Sequence, residues 1–323
     1  MTRILVVVVL LGVFHGATAQ ITVKKHFTKD NKPTNAENSY YYEVGKKVLM
    51  QRGEKSLKWL DTVYIDTVKT FYTSTNSIRS RCFYSQGDRE GSYSVYHLNG
   101  RLKEKGFYHK SKKTSYVIYW TDDGSVKQVL QYFYSEKFAA NDSFKIVGYW
   151  KNGHEVVKAG FGYYDDDLFD AGLMEKGKVV DGFRDSLWQV NMGDSVVSQE
   201  LYERGKFVRG ESFYKGKTFK YEEIKTIAEF AGGVEAMYRF LVKNQRYPSG
   251  ARSTGIQDRV FVKFCVDAEG NISEIKILKG QYQILNDEAV RLIKISPKWV
   301  PGKIRGIPFK SDFVLPVYFK LEP

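Results

Sequence analysis

From about residue 22 to residue 220 short aromatic-rich runs are broken by glycine turns, and helical periodicity is missing throughout. The turn signals are Asn99-Gly100, Asp123-Gly124, Asn152-Gly153, Lys176-Gly177 and Arg204-Gly205, at successive spacings of 24, 29, 24 and 28 residues. The units also align with one another. Residues 91–108, with Tyr96, Asn99-Gly100 and Gly106-Phe107-Tyr108, are echoed by residues 147–161 and, in degraded form, by residues 200–214. Each unit offers a strand ending in an aromatic, a two-residue turn that wants left-handed backbone, and a returning strand. A single hairpin cannot bury its apolar face, but stacked neighbours can. The sequence is thereby constrained to stacked β-hairpins. Tyrosine occurs 23 times and suits strand positions where the ring packs and the hydroxyl reaches a polar partner. Residues 20–84 read as an irregular, β-rich start of the repeat region, with strand candidates at 40–43, 63–67 and 70–72.

The first 19 residues differ from the rest. Arg3 is followed by an apolar stretch from Ile4 to Phe14, and Ala17-Thr18-Ala19 places small residues before Gln20, which reads as a signal peptide over residues 1–19. An uncleaved anchor is the competing reading, disfavoured because crossing the hydrocarbon core takes roughly 20 apolar residues. The formal charge is +13. Its lysines are scattered among acids on alternating strand patterns, so a basic surface facing anionic envelope components fits better than nucleic acid. Cys82 and Cys265, the two cysteines, read as free thiols, and Cys265 lies in an apolar run that predicts burial.

Helical spacing first appears at Tyr221, Ile224, Ile227 and Ala228, which predicts a linker helix over residues 217–229. A second amphipathic run with Val234, Met237, Phe240 and Leu241 follows Gly232-Gly233 and stops at Tyr247-Pro248. Residues 259–266 form a strand, Asp267 to Gly270 a turn with glycine at the positive-φ position, and residues 272–278 the returning strand. In that strand Ile272, Glu274, Lys276 and Leu278 alternate with Ser273, Ile275, Ile277 and Lys279, which predicts one inward and one outward face. A helix follows with Asn286 as candidate cap and Leu285, Ala289, Leu292 and Ile293 as its apolar face, and Ser296-Pro297 ends it. A last strand covers about residues 309–319. The expected fold class is mainly β, an N-terminal sheet of hairpin repeats followed by a small α+β domain over residues 230–323.

The ordered set Phe230, Gly232-Gly233, Tyr247-Pro248, Gly255-Ile256-Gln257, Val266-Asp267, Gly270, Asp287-Glu288-Ala289, Trp299, Pro301-Gly302, Arg305-Gly306, Leu315-Pro316-Val317 and Phe319 resembles the C-terminal domain of TonB-family energy transducers. Ala231 stands where that family has proline, and Asp258 where it has glycine. The hairpin units resemble MORN-type and bacterial antitoxin-component repeats found ahead of such domains in Bacteroidetes proteins, and that resemblance implies an elongated, single-layered or rolled antiparallel sheet of hairpin repeats over residues 85–216.

The TonB resemblance implies a periplasmic, cell-envelope module that binds proteins by offering a strand edge to an added strand. Its implied partner is an envelope protein such as a TonB-dependent outer-membrane transporter, and its implied binding edge is Phe313, Leu315, Val317 and Phe319, with Lys303 and Arg305 near the entrance. Two other readings compete: a genuine energy transducer held by an uncleaved N-terminal anchor, and a scaffold whose repeats contact peptidoglycan. With 7 prolines and no proline-rich tract, a long extended linker is not evident. No catalytic residue, cofactor or metal is expected. No two of the five histidines stand at ligand spacing, and Asp165, Asp166, Asp167 and Asp170 lack the glycine and glutamate of a calcium loop and read as an acidic solvated loop.

Overall fold

The computed structural model describes residues 20–52, 59–134, 144–168, 172–193 and 195–321, so the expected signal peptide over residues 1–19 lies outside the described residues. The chain is mainly β, with a long run of antiparallel strands followed by a small α+β domain. It divides into two compact units, residues 1–164 with 177–185, and residues 165–176 with 186–323.

In the first unit the strands Tyr41–Arg52, Trp59–Tyr72, Ile78–Ser85, Asp88–Tyr96, Leu102–His109, Lys112–Trp120, Val126–Tyr132 and Phe144–Lys151 each pair antiparallel with the next. Gln20–Phe27 pairs with Tyr41–Arg52. Among the described residues two kinds of turn recur between strands. At Gly100 and Gly124 one residue is left-handed and the loop closes through bonds such as His97 N–H to the Arg101 carbonyl. Gln86-Gly87, Lys110-Ser111, Asn152-Gly153, Ala159-Gly160 and Asp181-Gly182 instead hold two consecutive residues at positive φ, the geometry that matches strand twist in a two-residue hairpin. The turn expected at Lys176-Gly177 is not one. Gly177 lies inside the strand Leu173–Val180, and the reversal comes at Asp181-Gly182.

Three strand glycines carry a repeated side-chain unit. A Cβ on Gly45 would meet the Tyr64 ring at 3.0 Å, one on Gly106 the Tyr93 ring at 3.1 Å, and one on Gly210 the Tyr221 ring at 2.3 Å. In each case the tyrosine hydroxyl donates to a glutamate beside the glycine: Tyr64 to Glu43, Tyr93 to Glu104, Tyr221 to Glu200. The bare backbone makes room for the ring, and the ring buries the glycine while its hydroxyl satisfies the carboxylate. Lys113 pairs with Glu104 from the next strand and completes that unit with a cation.

The acidic run does not form a loop. Asp165, Asp166 and Asp167 close the strand Phe161–Asp167, where the Asp167 carboxylate accepts the N–H groups of Gly172 and Leu173. Asp170 lies outside the described residues.

In the second unit Phe183–Met192 pairs from Ser186 onward with Val196–Glu203, which pairs with Lys206–Tyr214, which pairs with Lys217–Tyr221. The helix expected over residues 217–229 is therefore three short strands: Lys217–Tyr221, Lys225–Thr226 and Glu229–Phe230. Ladder partners outweigh the local period there, since Gly210 faces Tyr221, Ile304 faces Lys225, and Trp299 faces Phe230.

The α+β domain begins with helix α1 (Gly233–Asn244), entered through Gly232 and Gly233, both at positive φ, and continues into the short α2 (Ser249–Ser253) behind Pro248. The hairpin strands Asp258–Val266 and Ile272–Lys279 precede α3 (Gln283–Lys294), and Ser311–Phe319 ends the described fold. Helix α3 is entered from Tyr282, so Asn286 is not its cap. The Asn286 side chain is buried inside the helix and donates to the Gly280 carbonyl. Leu285, Ala289, Leu292 and Ile293 face a core shared with Val260, Val262, Phe264, Trp299, Leu315, Val317 and Phe319. The simple alternation expected of residues 272–278 is broken. Glu274 has φ 53° and the register shifts beside it, so Ile272, Ile275 and Ile277 all pack on the core. Among the described residues no helix is long and apolar enough to cross a membrane.

Candidate protein-binding edge

The domain's main sheet has three strands in the order Ile272–Lys279, Asp258–Val266, Ser311–Phe319, which leaves Ser311–Phe319 at an edge. Its register with the central strand is continuous, from Ser311 opposite Val266 to Phe319 opposite Asp258. Proline has no N–H, so Pro316, opposite Phe261, sits where the main-chain groups point away from the ladder. By alternation Asp312, Val314 and Tyr318 also turn their main-chain groups outward. The Tyr318 carbonyl, facing outward, accepts a hydrogen bond from the Gln245 side chain at 2.8 Å. Gln245 closes one end of the edge, and Pro316 removes a donor from its middle. The segment from Asp312 to Val314 is left with main-chain donors and acceptors directed away from the sheet.

The side chains divide by the same alternation. Leu315, Val317 and Phe319 are buried in the core, and Phe313 packs on Phe264 and Trp299 with ring centroids 5.7 and 4.7 Å apart. Val314 and Tyr318 are exposed. Of the six residues expected at the binding edge, four lie on the terminal strand and point inward. Their side chains build the domain, and Val314, Pro316 and Tyr318, which the sequence reading omitted, carry the accessible surface. The signal for them was present: a proline within a strand marks an edge position.

The two cations lie elsewhere. Lys303 is exposed, its N–H donates to Thr226 Oγ1, and it belongs to a separate short ladder with Lys225–Thr226 and Ile307–Pro308. Arg305 is not at the strand entrance at all. It is buried, and its Nε donates to the carboxylate of Glu200 at 2.7 Å. A ligand at the Ser311–Phe319 edge cannot use it.

The sheet face opposite the core carries a polar cluster. Cys265 Sγ lies 2.9 Å from Asp312 Oδ1 and 3.5 Å from Glu274 Oε2; Lys263 pairs with Asp312 at 2.6 Å and Lys310 with Glu274. The Asp312 hydrogen bond, then burial, push the Cys265 thiol up to about 11, so it serves as a weak donor to carboxylates and not as a nucleophile. Cys82 and Cys265 are both free thiols. Among the described residues no group of three or more His, Cys, Asp or Glu side chains is arranged to hold a metal ion.

Among curated proteins none matches the chain. Residues 243–321 match the family model of the Gram-negative bacterial TonB protein C-terminal, a span that runs from the end of α1 through the edge strand. Within the unit built from the helices, the hairpin and the Ser311–Phe319 edge, residues 243–321 match the TonB C-terminal domain, a family of envelope-associated proteins, and the match supports a TonB-like module for protein interaction.

Proposed function

We propose that this chain is a periplasmic protein, exported by a cleaved leader over residues 1–19, whose TonB C-terminal domain binds an extended peptide of an envelope partner as an added strand on Ser311–Phe319. An outer-membrane transporter of the TonB-dependent kind is the partner class that the domain's family favours. The observation that carries this reading is the open edge at Asp312–Val314, with Val314 and Tyr318 exposed along the strand and Leu315, Val317 and Phe319 anchoring it in the core. In strand addition the main chain supplies affinity and alternate side chains supply selectivity. The hairpin repeats, similar to the MORN type, serve as a folded support in place of an extended linker.

Val314→Pro tests the reading directly. It removes an outward N–H while leaving the ladder to Asp258–Val266 and the inward residues intact. In a crosslinking capture from outer-membrane extracts, the full chain should recover a transporter and V314P should lose it. Equal recovery by a V314P protein with native circular dichroism would sink edge pairing.

A further inference from the structure

Glu200 and Arg305 are 105 residues apart in sequence and form a buried ion pair. The Glu200 side chain is fully buried; Oε1 accepts from Arg305 Nε at 2.7 Å and from the Tyr221 hydroxyl at 2.9 Å, and Oε2 accepts from the Tyr202 hydroxyl at 2.8 Å. Burial, then Glu200, push the Tyr221 phenol up to about 12, so it remains a donor. The main chain of Arg305 is engaged as well. Its N–H donates to the Ile224 carbonyl at 2.7 Å, and its carbonyl accepts from Ser212 Oγ at 2.8 Å, which is itself 2.7 Å from Ser198 Oγ. Arg305-Gly306 is a two-residue turn, with φ 50° and 77°, joining Lys303–Ile304 to Ile307–Pro308. A Cβ on Gly306 would lie 3.1 Å from Phe219 Cβ, so the turn sits against the last hairpin strand.

This arrangement has the same chemical parts as the units inside the hairpin sheet. At Glu104 the carboxylate is met by the Tyr93 hydroxyl and by Lys113 from the next strand. At Glu200 the tyrosines come from the hairpins, and the cation comes from the TonB C-terminal domain. A repeat sheet needs its terminal repeat closed by something other than another repeat.

We propose that the Arg305-Gly306 turn is the cap of the hairpin strands, supplying the cation that completes the Glu200–Tyr221 unit and locking residues 196–221 and the TonB C-terminal domain into one cooperative body. The domain then does not swing on a tether. Load or binding at its terminal strand passes into the hairpin strands through a buried charge pair. The lock holds whether or not a peptide adds to the edge, so its failure and the failure of the edge reading are separable.

Amide hydrogen exchange on the full chain tests it, with Lys303→Ala as control because Lys303 lies on the same ladder with its side chain in solvent. In the native protein, residues 206–221 and residues 258–266 should open together, with equal protection. In Arg305→Ala, which strands a buried carboxylate, residues 206–221 should exchange about a hundredfold faster or more, while residues 258–266 keep a higher protection; K303A should match the native protein. If R305A does not fold, Arg305→Lys is read in the same way, because it keeps the charge and loses the guanidinium geometry. Unequal protection of the two segments in the native protein would overturn the lock. So would native exchange of residues 206–221 in the arginine variant, or acceleration of both segments by the same factor.

Discussion

The Trp299 carbonyl oxygen lies 2.0 Å from where a Cβ on Gly270 would stand, and the Trp299 N–H donates to the Gly270 carbonyl at 2.9 Å. The hairpin turn and the loop after α3 thus touch backbone to backbone. That contact seats the Trp299 ring among Phe230, Phe264 and Phe313.

Gly270→Ala would force the loop bearing Trp299 away from the turn and strain a residue held at φ 82°. The expected loss is about 2–5 kcal/mol, the sum of a left-handed penalty and an overpacking penalty. Gly255→Ala is the comparison, since Gly255 has φ 68° but open space around its Cβ position, and its cost should stay near 1 kcal/mol. Urea midpoints of the two variants decide the matter; equal shifts would mean that the Trp299 contact carries no weight.

Glu288 makes a second closed joint. Its carboxylate accepts the Arg246 N–H at 2.8 Å and two bonds from Arg291 at 2.7 Å, while Arg291 also donates to the Asn244 carbonyl, tying α3 to the end of α1. Burial raises the Glu288 carboxyl, but the bonds from Arg291 and Arg246 outweigh it and leave it below the ordinary range. A carboxyl depressed in the folded state stabilises above its unfolded value and loses that contribution as pH falls through the folded value. Glu288→Gln should therefore cost about 1.5–3 kcal/mol near pH 7, and the gap to the native protein should close as pH drops from about 5 toward 3. A gap that stays constant over that range would exclude ionised Glu288 as its source.

Much of the C-terminal domain was legible because its signals are local. Gly270 falls where a turn needs positive φ, and Leu285, Ala289, Leu292 and Ile293 share a helix face. The Glu274 bulge was not, because a glutamate at φ 53° gives no compositional warning and yet reverses the facing of Ile275 to Leu278. The same holds for Lys110-Ser111 and Ala159-Gly160, left-handed pairs without the usual Asn-Gly or Asp-Gly signature. Residues 217–229 were misread because their apolar spacing fits a helix while their ladder partners are distant in sequence. Arg305 could not be placed at all from its neighbours, since the carboxylate that fixes it is supplied by a strand 105 residues earlier.

The tyrosine–glutamate–glycine unit offers a measurement of what stacks the repeats. At Glu104 the carboxylate is mostly buried, with Lys113 on one side and the Tyr93 hydroxyl on the other, and the Tyr93 ring covers Gly106, its ladder partner. Tyr93→Phe should cost about 1–3 kcal/mol by leaving a buried charge short of a donor. Glu104→Leu should cost a similar amount by taking the acceptor away from the Tyr93 hydroxyl and the carboxylate away from Lys113. Because both remove the same bond, the double variant should fall short of the sum by about 0.5–3 kcal/mol in urea denaturation. Additive losses would show that ring burial over Gly106, and not the hydroxyl–carboxylate bond, holds adjacent hairpins together.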